Sequence, residues 1–306
     1  MEIHIANIGL CWGIDRAYTK MAADANAFSD RKLYATHRLA LPGTNRDLDT
    51  LGRIDRKDPA TISAYPGIEA IHVVEDHRSL SLGDTVLLGF HGVSRQEIQD
   101  MNSKGIEIRD HKCSFIENLD SKVEKAVANG YNLIFIGKPA THHARHACQV
   151  ADAGGKKCIV INSVEEFSAI SRHPEERWAL VGQVTGNSLV WGNVVEANKS
   201  AQLADIVLST LCSDAFDRQA EALRLIQSCD AVLLVDDGGG GANSVADVLA
   251  TEEKPIFKLR WKEDDSWKDG IVSAWFRNVG VLGIVGGINV PNWSLVAVAD
   301  HLKNVS

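Results

Sequence analysis

Paired runs of apolar residues recur three times along this chain, and each pair follows a cysteine. After Cys11 the first run is Leu33-Tyr34-Ala35-Thr36-His37; after Cys113 it is Leu133-Ile134-Phe135-Ile136-Gly137; after Cys212 it is Ala231-Val232-Leu233-Leu234-Val235. The second runs each end in a polar loop: Val86-Leu87-Leu88-Gly89-Phe90-His91-Gly92, Ala179-Leu180-Val181-Gly182-Gln183-Val184-Thr185, and Val281-Leu282-Gly283-Ile284-Val285-Gly286-Gly287. Runs that are apolar throughout, rather than alternating, belong to strands covered on both faces, and so to parallel sheets with helices between them. Residues 117–129 and 216–228 repeat apolar side chains at three- and four-residue spacing, which predicts two of those helices. The fold class read from this pattern is α/β, as three related units of about 100 residues each. The expected division is 1–110 with Cys11, 111–205 with Cys113, and 206–292 with Cys212. A tail, 293–306, should form an amphipathic helix that docks back on the body.

Each of the three cysteines sits where a strand gives way to a helix, and a helix N-terminus favours the thiolate over the thiol. Three thiolates from three copies of one unit, meeting at an axis, would suit a cubane iron–sulfur cluster. A [4Fe–4S] cluster takes four thiolates, so three leave one iron open to a substrate. Ligands of open α/β sheets bind beyond the carboxyl ends of the strands. The residues expected there are Thr36, His37, His91, Lys138, His142, His143, Thr185, Asn187, Asn243 and Asn289. His111 and Lys112, just before Cys113, read as a surface loop or as groups that tune a cluster by hydrogen bonding. Cys148, Cys158 and Cys229 lie in apolar surroundings and read as inert buried thiols. From spacing alone, all six cysteines could still be small core residues.

Composition removes several classes of function. The chain of 306 residues carries a formal net charge of -8. That argues against a nucleic-acid or anionic-membrane surface, because both select basic patches. Met1-Glu2-Ile3-His4 has no basic leader character, and the apolar run 279–288 is too short to span a bilayer. The expected setting is therefore the cytosol, with reduced cysteines. The stretch Asp236-Asp237-Gly238-Gly239-Gly240-Gly241 can approach a ligand closely through its backbone, but the dinucleotide pattern fails at Asn243. The tract Lys262-Glu263-Asp264-Asp265 reads as a solvated turn.

Several motifs, taken in order, carry a resemblance. These are Gly9-Leu10-Cys11-Trp12-Gly13-Ile14-Asp15-Arg16-Ala17, then Leu82-Gly83-Asp84 with Phe90-His91-Gly92-Val93-Ser94, then Arg109-Asp110-His111-Lys112-Cys113. Last come Leu211-Cys212-Ser213-Asp214 and Asp217-Arg218-Gln219-Ala220. Together they resemble the LytB/IspH family, the reductases that convert 4-hydroxy-3-methylbut-2-enyl diphosphate to isopentenyl and dimethylallyl diphosphates. The resemblance implies three α/β units in pseudo-threefold arrangement around a [4Fe–4S] cluster held by Cys11, Cys113 and Cys212. It also implies an external electron donor such as a ferredoxin or flavodoxin.

The pocket departs from that family. His91 matches one phosphate-binding histidine, but Leu41-Pro42 or Thr44-Asn45 stands in place of another. The Ser-Ser-Asn run reads Gly241-Ala242-Asn243, and the late Ser position reads Asn289. The His-Pro-Glu turn reads Thr141-His142-His143, and Gln-Thr-Thr reads Gln183-Val184-Thr185. A diphosphate needs many donors to offset its desolvation, so these losses point to a different or smaller substrate. The expectation is a reductase in which His142 or His143 supplies the proton and Thr185 assists. The expected substrate contacts are His37, His91, Asn187, Asn243 and Asn289. The alternatives are a non-redox dehydratase or sulfur-handling enzyme using the open iron as a Lewis acid, or a non-catalytic iron–sulfur sensor.

Overall fold

The computed structural model describes residues 1–36, 63–74, 77–93, 95–236, 240–261 and 266–305. His37, Leu41, Pro42, Thr44, Asn45, Ser94, Asp237, Gly238, Gly239 and the tract 262–265 lie outside the described residues.

Three four-stranded sheets, parallel throughout, carry the described chain. The first is built from β2 (Leu33–Thr36), β3 (His72–Val74), β4 (Thr85–Leu88) and β5 (Glu107–Asp110), in the order β3-β2-β4-β5. The second is built from β6 (Asn132–Ile136), β7 (Cys158–Ile161), β8 (Trp178–Gly182) and β9 (Ile206–Leu208), in the order β7-β6-β8-β9. The third contains β10 (Ala231–Asp236), β11 (Ile256–Arg260) and β12 (Val281–Gly286) and is closed by β1 (Glu2–Ile5), in the order β1-β12-β10-β11. The topology is one pattern used three times, and the third copy takes its last strand from the start of the chain.

The apolar runs are the inner strands. Every residue of β4, β6 and β8 is buried, as are five of six in β10 and β12, whereas edge strands such as β5 and β11 are half exposed. A fully buried Val, Leu or Ile contributes about 1.5–3 kcal/mol, so the inner strands dominate the stability of each sheet.

The chain divides into two compact units. One holds residues 1–113, 225–239 and 254–306, with the first and third sheets; the other holds 114–224 and 240–253, with the second sheet. In the first unit, helix α1 (Trp12–Ala27) buries Ile14, Ala17, Tyr18, Met21, Ala22 and Ala25 on one face. That face packs with Leu33, Ala35 and Leu87 of the first sheet. The C-terminal helix, Asn292–Val305, buries Leu295, Val298, Ala299 and Leu302 with residues of the third sheet. No helix among the described residues is long and apolar enough to cross a membrane.

One expectation is corrected here. Cys148 and Cys158 are joined by a disulfide, so they are not inert thiols and the expectation of reduced cysteines fails for this pair. Cys148 lies on the helix His142–Ala153, a short turn follows, and β7 begins at Cys158, which brings the two Cα atoms to 5.1 Å. That separation is ordinary for a disulfide.

Lys254 closes the C-terminus of the helix Ser213–Ser228. Its Nζ donates to the carbonyl oxygens of Ile226 at 2.8 Å, Gln227 at 3.0 Å and Cys229 at 2.8 Å. A cation at a helix C-terminus meets carbonyls that have no partner within the helix. Lys254→Met should therefore lower unfolding free energy by about 1–3 kcal/mol, read from the shift in denaturant midpoint; an unchanged midpoint would show that solvent satisfies these carbonyls equally well.

Candidate functional site

The three cysteines share one local frame. Cys11 directly precedes α1, Cys113 precedes the helix Ser114–Ala128, and Cys212 precedes the helix Ser213–Ser228. Each cysteine N–H donates at 2.9 Å to a carbonyl two residues beyond an inner strand. The acceptors are Ile288 after β12 for Cys11, Phe90 after β4 for Cys113, and Val184 after β8 for Cys212. The next residue in each copy is therefore equivalent: Asn289, His91 and Thr185. Three of the polar residues singled out in the sequence thus occupy a single repeated position.

In the unit that holds both Cys11 and Cys113, the two sulfurs converge on Gly13. A Cβ there would lie 2.8 Å from the Cys113 sulfur and 3.9 Å from the Cys11 sulfur. Only a residue without a side chain leaves that space, because 2.8 Å is far inside carbon–sulfur contact. Cys11 is buried and Cys113 is half-buried. His91 is exposed, and its ring lies against Phe90 at 4.1 Å. Asn289 is buried, and its Oδ1 has no hydrogen-bond partner among the described residues. His111 is packed and not a loose surface group: its Nε2 lies 2.9 Å from Asp24 Oδ2. Burial lowers its pKa, against the opposing pull of the Asp24 carboxylate.

In the other unit, Cys212 is buried beside a loop held by polar side chains. Gln219, itself buried, accepts from Ser188 N and donates to Gly186 O, both at 2.8 Å. Ser244 Oγ donates to Thr185 O at 2.5 Å. Gln183 Oε1 accepts from Lys138 N at 3.1 Å and from the Thr141 hydroxyl at 3.4 Å, while its amide donates to Thr185 Oγ1 at 3.4 Å. Thr141 in turn caps the helix His142–Ala153 by accepting from Ala144 N. Asn187 caps the helix Ser188–Ala201, accepting from Leu189 N at 2.9 Å and Val190 N at 3.2 Å. Its carbonyl oxygen is thus committed to structure. Lys138 Nζ sits 2.7 Å from Asp247 Oδ2, and Asn243 is exposed on the helix Gly240–Leu249.

Sequence reading missed Gln183, Gln219 and Ser244 as positioning groups. Ser244 directly follows Gly241-Ala242-Asn243, so a hydroxyl survives two positions past the second expected serine. It is turned onto the Thr185 backbone.

His142 and His143 open their helix with different surroundings. His142 is exposed, and its ring is stacked parallel to His146 at 6.4 Å. His143 has its pKa lowered to about 4, first by burial, then by His142, with Asp120 opposing and His146 adding to the depression. Its imidazole is therefore neutral at pH 7. Among the described residues, no group of three or more His, Cys, Asp or Glu side chains is arranged to hold a metal ion.

A family model described as "LytB protein" matches residues 3–303. The chain belongs to the LytB family. Curated relatives include the 4-hydroxy-3-methylbut-2-enyl diphosphate reductase of Anaeromyxobacter sp. (strain K), 25% identical, with 99% of this chain and 99% of the relative covered. The protein of the same name from Clostridioides difficile (strain 630) is 26% identical, covering 100% of each chain. The structure of the E-1-hydroxy-2-methyl-but-2-enyl-4-diphosphate reductase from Plasmodium falciparum superposes with a TM-score of 0.77 at 15% identity. That superposition covers 99% of this LytB chain and 88% of the other. At that identity the likeness is one of fold.

Two outcomes follow for this LytB chain. With the three cysteines holding iron as the sequence reading expects, Gly13→Ala should reduce the iron retained per chain after anaerobic reconstitution, because the new methyl displaces the Cys113 sulfur. The overlap should also lower the melting midpoint, with the better helix propensity of Ala offsetting part of the cost; unchanged iron content would show the sulfurs have room to shift. The second outcome concerns pH. The folded pKa of His143 lies below its unfolded value of 6.5, so its contribution is full above pH 6.5 and is lost as pH falls toward about 4. Wild type should lose up to about 3 kcal/mol of stability across that window relative to His143→Gln, and parallel pH profiles for the two proteins would refute the assignment.

Proposed function

We propose that this LytB family member is a [4Fe–4S]-dependent reductive dehydroxylase acting on a substrate other than the family's allylic diphosphate. The observation that carries the reading is the repeated frame: three cysteines at three helix starts, each with its N–H on the same carbonyl position, in a chain that matches the family from residue 3 to residue 303. Cys11, Cys113 and Cys212 would hold the cluster, and the bare Gly13 between two of the sulfurs fits that role. When bound, such a cluster supplies electrons one at a time and one iron with an open coordination position. The balance is R–OH + 2 e⁻ + 2 H⁺ → R–H + H₂O, with the electrons from an external ferredoxin or flavodoxin. A cytosolic setting is part of the same proposal.

The chain's own residues bind the substrate and move protons. His91, Thr185 and Asn289 recur at one repeat position and would contact the substrate, with Asn243 as a further donor. Gln219 and Ser244 hold the Thr185 loop in place. His142, exposed, would take protons from solvent. His143, neutral at pH 7, would present an N–H to the leaving hydroxyl and not act as a charged acid.

The altered substrate is argued from lost donors. A charge-assisted hydrogen bond contributes about 1.5–3 kcal/mol, so losing three weakens a diphosphate by about a thousandfold or more. Glycine and alanine now stand at the Ser-Ser positions, and Lys138 is paired with Asp247.

The test is anaerobic turnover by iron-reconstituted protein with a reduced viologen dye. The expected result is little conversion of 4-hydroxy-3-methylbut-2-enyl diphosphate, and loss of hydroxyl from smaller or uncharged allylic alcohols. Fast conversion of the diphosphate would overturn the altered substrate. A colourless protein that binds no iron would overturn the whole reading.

A further inference from the structure

The Cys148–Cys158 disulfide sits on a helix that is otherwise weakly anchored. The helix His142–Ala153 buries only alanines, at positions 144, 147 and 151. The preceding helix, Ser114–Ala128, buries Ile116, Leu119, Val123, Ala126 and Val127. A buried methyl contributes far less than a buried Leu, Ile or Val, so the crosslink carries a large share of the docking. It ties the helix to β7, an edge strand of the second sheet. Both cysteines are half-buried, and the turn between them is exposed at Gly154, Gly155 and Lys157. Disulfides within reach of solvent are the ones that exchange with external thiols. Where thiols are kept reduced, such a bond is usually transient and redox-sensing.

The same helix opens into the loop network of the site. Thr141 caps it and reaches Gln183, whose amide donates to Thr185 Oγ1 at 3.4 Å. Its first two residues are His142 and His143. The titratable groups that act on His143 are His142, Asp120 and His146, but burial is the largest cause of its lowered pKa. What holds the helix down therefore also keeps His143 from water.

We propose that Cys148–Cys158 is a reversible redox switch, opened by a dithiol reductant, that sets how firmly the helix carrying His142 and His143 is docked. A thiolate of the reductant attacks one sulfur and forms a mixed disulfide, which its second thiol resolves. The S–S bond of the pair breaks and one forms in the reductant. Two electrons and two protons pass from the dithiol to Cys148 and Cys158. With the bond closed, the helix is pinned to β7 and His143 stays neutral at pH 7. With it open, only the alanine face and the half-buried side chains hold the helix, and His143 meets water. The bearing of this switch on turnover rests on the proton-handling reading above; the switch itself does not.

The test is a titration of the full chain in mixtures of reduced and oxidised dithiothreitol. Alkylation and peptide mapping report each cysteine separately, and amide hydrogen exchange reports residues 142–153. The oxidised chain should show Cys148 joined to Cys158. Reduction should speed exchange in that helix about tenfold or more and leave the helix Ser114–Ala128 unchanged. The His143 imidazole, followed by NMR, should move its pKa from about 4 toward 6.5. Cys148→Ser/Cys158→Ser should exchange like the reduced wild type and ignore dithiothreitol. Free thiols at both positions in the oxidised chain would overturn the inference. So would equal exchange in the two redox states, or a double variant that still responds to dithiothreitol. If the double variant fails to fold, the wild-type comparison decides alone, because mapping separates this pair from Cys11, Cys113, Cys212 and Cys229. None of these readouts needs iron, so a chain that binds none would sink the cluster reading and leave the switch to be judged on exchange.

Discussion

One backbone hydrogen bond, repeated three times, organises this molecule. A cysteine N–H at a helix start reaches a carbonyl two residues past an inner strand, at 2.9 Å in every copy. Being backbone to backbone, the bond is indifferent to which side chains surround it, so loops as different as Phe90-His91, Val184-Thr185 and Ile288-Asn289 can present a thiol and a polar residue in one arrangement. It also satisfies an N–H at a helix start, where no intrahelical acceptor exists. The inner strands that anchor these loops are buried along almost their whole length, which gives the frame its rigidity.

Around that frame, polar side chains hold the loops in place. Gln219, Ser244, Gln183, Thr141 and Asn187 all bond to backbone or to one another. A buried polar group must be paired or it costs free energy. The loop after β8 is therefore defined by several side chains acting together. Asn289 differs: its buried carbonyl oxygen has no partner among the described residues. In the second unit, His143 is neutral beside the exposed His142.

The amino-acid sequence by itself determined the three units and their inner strands, because a strand buried on both faces must be apolar at every position and that pattern is local. It also placed the three thiols where strand gives way to helix, with helical periodicity visible over 117–129 and 216–228. Tertiary structure decided what depends on distant partners. Strand β1 completes the third sheet beside β12, a pairing no local pattern announces. Cys148 meets Cys158 because a helix and an edge strand lie together. Gly13 is bare because the Cys113 sulfur arrives there from another part of the chain. The chemistry of the two adjacent histidines was likewise undecided in the sequence, where they are identical: burial holds His143 neutral while His142 stays in solvent. Composition and periodicity act over a few residues; pKa values, clamps and close approaches are set by what folding brings alongside.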